Sequence, residues 1–341
     1  MGNHANISFF IPHLGCTHRC SFCDQRSITG QICLPEKKDI IEAVKTAKGS
    51  KGYCKENTEI AFFGGSFTAI DREYMLSLLK ASFPFVKDKS VKGIRVSTRP
   101  DAINGEILGI LKEYGVTAIE LGAQSMDNSV LNFNKRGHTA EDVIKASALI
   151  KEQGFSLGLQ MMTGLYKSSF EKDLYTVREF LKIAPDTVRI YPTVVLKHTA
   201  LAALVKSGEY IPPSLDEAVD ACSEYYGEFT RHGIKVIRMG LHHICEEDYV
   251  AGPWHPAFSQ LCMSRIFAKK ALDRLQKLPK GNYLLFVNER EISVAVGQKK
   301  KNIKLFNEWG YNCRVKGNAA ITPGDFRIED DQKGSEEKLC C

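Results

Sequence analysis

"ISFFIPHLGCTHRCSFCDQ", residues 7–25, joins a strand-like apolar run (7–12) to three cysteines, Cys16, Cys20 and Cys23, spaced C-x3-C-x2-C. Thiols grouped this tightly in a long chain read as metal ligands rather than disulfide partners. A structural zinc site wants four ligands, and His13 and His18 lie close enough in sequence to supply the fourth. A hydrolytic zinc site accepts three ligands and an open position. A 4Fe–4S cluster on three thiolates leaves one iron open to an exogenous ligand. The place of the loop, directly after the first strand of an α/β chain, favours the cluster and keeps zinc as its alternative.

Outward from this loop, short apolar runs alternate with longer amphipathic ones as far as about residue 240. Strands are expected at 7–12, 59–64, 93–98, 118–123, 156–161, 187–192 and 235–240, and helices at 37–48, 69–81, 103–114, 139–153, 168–184 and 214–232. Six strand–helix units and a last strand predict an α/β fold, a partial (β/α)6 barrel with helices outside, whose chemistry gathers at the C-terminal strand ends. The polar oddities fall there: "FFGGSF" after the second strand, "STRPD" after the third, "GAQS", "QMMTG" and "YPT" after the next three. Past about residue 245 the texture changes. The expected organisation is a barrel core over 1–245, a small C-terminal α/β subdomain over 246–325, and a loose polar tail over 326–341.

Composition sets wide bounds. The 341 residues are 43% hydrophobic and 25% charged, ordinary for a packed domain, with 46 basic against 40 acidic residues for a net +6. That mild basicity permits a nucleic-acid partner without demanding one. No apolar run approaches a membrane span, and "MGNHANISFF" lacks a signal core, so the expected location is the cytoplasm. Of the other cysteines, Cys33, Cys54, Cys222, Cys245, Cys262 and Cys313 are scattered singly, and Cys340 and Cys341 end the charged tail.

Cys16, Cys20 and Cys23, with Phe22 before the last of them, resemble the cluster motif of the radical S-adenosylmethionine (SAM) superfamily. "STRPD", "IELGAQSMDNSVLNFNKRGHT", "GLQMMTGL" and "RIYPTVVLKHTAL" are similar to the radical SAM domain of the catalytic subunit of Elongator and its bacterial relatives, and more loosely to oxygen-independent coproporphyrinogen oxidases. The resemblance covers roughly residues 7–240. Two features depart from Elongator: the cysteine loop is compact, and no acetyltransferase domain is expected within these 341 residues.

The resemblance implies a radical SAM enzyme that reductively cleaves SAM at a 4Fe–4S cluster and generates a 5′-deoxyadenosyl radical, which removes hydrogen from the substrate. It implies Cys16, Cys20 and Cys23 as cluster ligands and Gly64, Gly65, Ser66, Ser97, Gln124, Arg136 and Gln160 as SAM contacts, with Arg136 suited to the carboxylate. Relatives often carry Glu where Ser97 stands; Arg99 and Asp101 have a structural pair as their second reading. Tyr191, Lys197 and His198 are expected to face the cavity, and "GPWHPAF", with Trp254 and His255, to serve as a lid or an interdomain turn. His242 and His243 read as local packing. The basic stretch "VGQKKKNIKLF" (296–306), with Arg265, Lys269, Lys270, Arg274 and Lys277, reads as a phosphate-binding face or a solvated one. The expected substrate is tRNA and the expected reductant a flavodoxin or ferredoxin. The alternatives are a radical SAM enzyme acting on a small metabolite or peptide, and a non-catalytic metal-containing RNA-binding protein.

Overall fold

A computed structural model describes residues 5–11, 14, 16, 20–24, 34–241 and 244–331. His13, His18, Cys33, His242, His243, Cys340 and Cys341 lie outside them. The chain divides into two compact units, Met1–Ala218 with Glu228–Trp254, and Val219–Gly227 with His255–Cys341.

The first unit is built on a curled sheet of seven strands, all parallel: β1 (Ala5–Ile11), β2 (Thr58–Gly64), β3 (Gly93–Thr98), β4 (Val116–Gln124), β5 (Ser156–Thr163), β6 (Thr187–Pro192) and β8 (Lys235–Met239), in that spatial order. Between β6 and β8 the chain makes β7 (Val195–Leu196), which pairs antiparallel with β9 (Tyr249–Ala251). The helices are α1 (Lys37–Lys48), α2 (Arg72–Lys87), α3 (Gly105–Glu113), α4 (Asn128–Phe133), α5 (Ala140–Glu152), α6 (Phe170–Ile183), α7 (Ala200–Ser207) and α8 (Leu215–Arg231), of which the residues Val219–Gly227 belong to the second unit.

Local chemistry sets the helix starts. Asp71, Asn104, Asp127, Thr139, Ser169, Thr199 and Ser214 each accept a backbone N–H in the first turn of the following helix. Thr139 with Asp142, and Ser214 with Glu217, close full capping boxes. α2 runs past the expected end at 81 and through Pro84, which lacks the N–H that would bond back to the preceding turn; Asp88 N–H closes the helix on the Pro84 carbonyl at 3.0 Å.

The two sheet faces differ. Ile60, Phe62, Ile94, Val96, Ile119, Leu121, Leu157, Leu159, Val188 and Ile190 are all fully buried and form the apolar side that the helices cover. Their alternates, Glu59, Arg95, Ser97, Glu120, Gln160, Arg189 and Tyr191, put polar groups on the inner face.

The second unit holds α9 (Phe258–Leu275), α10 (Ile292–Val296) and α11 (Lys301–Glu308), and a sheet in which β10 (Gly281–Val287) is flanked by β11 (Tyr311–Gly317), parallel, and β12 (Phe326–Asp330), antiparallel. β12 corrects the expected tail: "FRIED" is charged enough to read as loose, yet Phe326 is buried in the core with Leu285, Val287 and Tyr311. The Arg274 guanidinium lies 4.2 Å over the Phe326 ring and donates to its carbonyl at 2.9 Å.

Candidate active site

The cysteine loop is tethered by its central residues. Ser21 is buried, its hydroxyl donates to Asn134 Oδ1 at 2.7 Å, and its backbone N–H donates to the Asn134 carbonyl at 3.1 Å. Asn134, fully buried after α4, donates through Nδ2 to the carbonyls of Val130 and Tyr166 at 2.8 and 2.9 Å. Phe22 packs beside Val195, Leu201 and Tyr210. Ser21 and Phe22, between the second and third cysteines, thus anchor the loop and leave the thiols free to ligate.

The thiols are electrostatically coupled. Burial, then Cys20 and Cys16, pushes the Cys23 thiol up to about 12; burial, then Cys20, raises that of Cys16. Three thiolates crowded together repel one another, so a cation bound among them would offset that cost and displace the protons.

Arg136 stands over this group. Its Nη1 donates to Cys20 Sγ at 3.1 Å, its Nη2 to the Gly122 carbonyl at 2.5 Å, and its guanidinium carbon sits 5.9 Å from the centre of the Phe22 ring. A Cβ on Gly122 would lie 3.0 Å from Gln124 Nε2 and 3.4 Å from Arg136 Nη2, so the missing side chain makes room for both. Gln124 ends β4 at φ +68°, a left-handed conformation that turns its side chain out of the sheet's alternation. Gln124 Oε1 and Arg136 Nε are buried without a hydrogen-bond partner. His138 bonds through Nε2 to the Ala123 carbonyl at 3.1 Å; burial, with Arg136 nearby, holds its pKa down to about 4, so the ring is neutral.

The Gly64-Gly65 turn brings β2 against the start of the cysteine loop. Gly64 has φ +106°, and a Cβ on Gly65 would lie 2.1 Å from the Leu14 carbonyl oxygen, so only glycine fits. Gly65 N–H donates to the Ile11 carbonyl at 2.7 Å and Ser66 N–H to that of Leu14 at 3.1 Å. The Ser66 hydroxyl is engaged with Thr98 Oγ1 at 2.8 Å and with the Arg99 N–H at 3.1 Å, and Arg99 grips Asp101 bidentately at 2.8 and 2.6 Å.

Below this rim runs a chain of buried charges. Glu120, at 1% exposure, accepts from Arg189 at 2.6 and 2.8 Å, from Arg95 at 3.2 Å and from Gln160 at 2.8 Å. Arg95 also binds Glu59 at 2.8 Å, and Gln160 donates to Ser97 Oγ at 3.2 Å. Ser97 and Gln160 are therefore joined to this network rather than standing alone. Burial works against the charge on Arg189, but Tyr191 and Glu120 outweigh it and its pKa is raised.

The profile of the radical SAM superfamily matches residues 10–180, half of the chain, and that of the radical SAM C-terminal domain matches residues 185–267. The chain belongs to the radical SAM superfamily. It is 31% identical over 192 residues to a tRNA uridine(34) acetyltransferase of Methanocaldococcus jannaschii, covering 50% of this chain and 36% of that protein. It is 30% identical over 189 residues to Elongator complex protein 3 of Homo sapiens, covering 50% of this chain and 35% of that protein. The chain thus spans about a third of these relatives' length. An archaeal Elp3 structure from Methanocaldococcus infernus, with an N-terminal deletion, superposes with a TM-score of 0.64 at 21% identity, over 83% of this chain and 66% of that one, and shows the same fold.

In this radical SAM chain Cys16, Cys20 and Cys23 are free thiols, the sulfur donors a cluster would take, and Gln124 Oε1 and Arg136 Nε are buried without a hydrogen-bond partner; among the described residues no three His, Cys, Asp or Glu side chains already converge on a metal position. Sequence reasoning missed Asn134, His138 and the Glu59–Arg95–Glu120–Arg189 network. The last had a signal: "GIRVST", "AIELGA" and "TVRIYP" each carry one charge in the middle of an apolar strand. Tyr191 takes its expected place on the inner face, but Lys197 and His198 are exposed, because the chain turns after β7, with His198 at φ +62°, and leaves the sheet. Trp254 packs with Val194, Leu196 and Ile244 in the first unit, while His255 Nδ1 accepts the Ala257 N–H at 3.0 Å in a tight turn. The lysines at 299, 300, 301 and 304 are exposed. Among the described residues no helix is long and apolar enough to cross a membrane.

Proposed function

We propose that this radical SAM enzyme holds a 4Fe–4S cluster on Cys16, Cys20 and Cys23 and uses it to modify tRNA in the cytoplasm. The observation that carries the cluster assignment is three free cysteines in the loop after β1, with Arg136 donating to the middle one and two unpartnered buried polar atoms alongside. When bound, such a cluster and SAM supply reductive cleavage of SAM and the 5′-deoxyadenosyl radical that takes a hydrogen atom. The chain's own residues bind, orient and exclude water. The thiolates fix the cluster; the Gly64-Gly65 turn holds the start of the cysteine loop against β2; Gln124 Oε1 offers an acceptor and Arg136 Nε a donor to SAM. Ser97, Gln160 and Tyr191 line the inner face on which a substrate would lie; Gln160 is held by Glu120, Ser97 by Gln160 and Tyr191 by Arg189. A flavodoxin or ferredoxin suits the one-electron supply.

The tRNA assignment is supported by relatives that are named for tRNA uridine(34) and for Elongator, and by the exposed lysines of the second unit. The test is anaerobic incubation of the cluster-loaded enzyme with SAM, reductant and total tRNA, followed by mass spectrometry of the digested nucleosides. A new nucleoside mass that needs both SAM and reductant is expected. An unchanged nucleoside profile, with 5′-deoxyadenosine formation accelerated instead by peptides or small metabolites, would overturn the tRNA reading.

A further inference from the structure

The charge on the inner face does not balance. Among the described residues, Glu59 and Glu120 face Arg95, Arg189 and Arg238, two negative groups against three positive. Both carboxylates are spent: Glu59 on Arg95, and Glu120 on Arg95 and Arg189 together. Arg238, on β8, stands in register beside Arg189 on β6. It is half-buried, and its one hydrogen bond runs from Nε to the Gly240 carbonyl at 3.2 Å. No described carboxylate forms an ion pair with it. Burial pulls its pKa down, and of its charged neighbours Arg189 adds to that while the Tyr191 phenol opposes it.

Two guanidiniums and a phenol therefore meet at the β6–β8 end of the sheet. Arg189 is held by Glu120 on one side and lies 5.2 Å over the Phe63 ring on another, so it is fixed in place as a positive wall. A half-buried cation beside a second, buried cation is costly unless an anion joins them, because water screens the pair only from Arg238's open side. A planar guanidinium with both terminal nitrogens uncommitted matches an oxyanion through two parallel hydrogen bonds.

We propose that Arg238, with Tyr191 beside it, forms an oxyanion subsite on the inner sheet face that takes the phosphate of a nucleotide substrate. The source of that phosphate rests on the tRNA reading; the subsite itself rests on the uncompensated charge. It places the nucleotide across the sheet from the cysteine loop on β1, with the reacting group between the two ends.

Thermal unfolding of the cluster-loaded protein tests this, with inorganic phosphate, uridine 5′-monophosphate or SAM added at matched ionic strength. Phosphate and the nucleotide are expected to raise Tm in the wild type. Arg238→Gln is expected to abolish the shift, and Arg238→Lys, which keeps the charge and loses the fork, to retain part of it. Absence of a phosphate shift in the wild type, or an undiminished shift in Arg238→Gln, overturns the proposal. So does a shift that SAM competes away, which would assign the subsite to SAM's own carboxylate. Formation of 5′-deoxyadenosine by the wild type is scored separately; its failure would strike the enzyme reading while the binding result stood.

Discussion

Replacing Glu120 by Gln isolates the charge network under the candidate active site. Glu120 is 1% exposed and is the carboxylate that Arg189 grips through two hydrogen bonds at 2.6 and 2.8 Å. Arginine does not deprotonate to escape burial. Gln keeps the shape but leaves Arg189 as an uncompensated charge at 8% exposure, whereas Arg95 retains Glu59 at 2.8 Å. Breaking a buried pair from one side costs about 3–5 kcal/mol. Arg189→Met placed on top removes the stranded charge, so the double variant is expected to recover about 2 kcal/mol or more of that loss, a strongly non-additive cycle. Urea unfolding of the four proteins measures it. A cost for Glu120→Gln below about 1 kcal/mol, or a cycle additive to within about 0.5 kcal/mol, would refute the reasoning.

Other perturbations separate the parts of the site. Asn134→Ala removes the side-chain bonds that hold Ser21 and the Tyr166 carbonyl, keeps the Ser21 backbone bond, and strands a buried hydroxyl, so protease cleavage within the cysteine loop should accelerate and iron content after reconstitution should fall; unchanged rates would show the loop is held by its backbone. Arg136→Gln removes a cationic N–H donor from Cys20 Sγ, and the cluster's midpoint potential, followed by electron paramagnetic resonance, should become more negative, since donors to sulfur favour the reduced state. An unmoved potential with weakened SAM binding would instead assign Arg136 to the SAM carboxylate. Asp173 is pushed up from 3.8 to about 7 by burial. Between those values the unfolded chain is ionised and the folded one protonated, so its contribution, complete below 3.8, is lost as pH rises through 7. That is about 4 kcal/mol at 1.36 per unit. Asp173→Asn should flatten this slope in melts taken from pH 4 to 8, and a slope unchanged from wild type would count against it.

Much of the barrel was legible because its signals are local. Apolar runs spaced by amphipathic stretches located seven strands, and Asn, Asp, Ser and Thr before the helices are the residues that cap them. The rim stretches lay at strand ends, where parallel strands gather side chains. What escaped were features whose cause is distant in sequence. Asn134 reads as a loop residue until Ser21, 113 positions away, is seen against it. The left-handed turn at Gln124 follows from the room at Gly122 and the reach of Arg136, neither of which has a propensity signature. β12 was hidden because three of the five residues in "FRIED" are charged, and only pairing with β10 and the burial of Phe326 make it a strand. Lys197 and His198 sit exposed just past β7, a strand of two residues that is too short to register in the sequence as an alternating pattern.

The central claim is that Cys16, Cys20 and Cys23 hold a cluster that cleaves SAM. The direct measurement is 5′-deoxyadenosine formed anaerobically by iron- and sulfide-reconstituted protein with dithionite and SAM, alongside a Cys20→Ala variant. The account predicts product from the wild type and none from the variant. No product from a wild type that carries zinc on those thiols would contradict it.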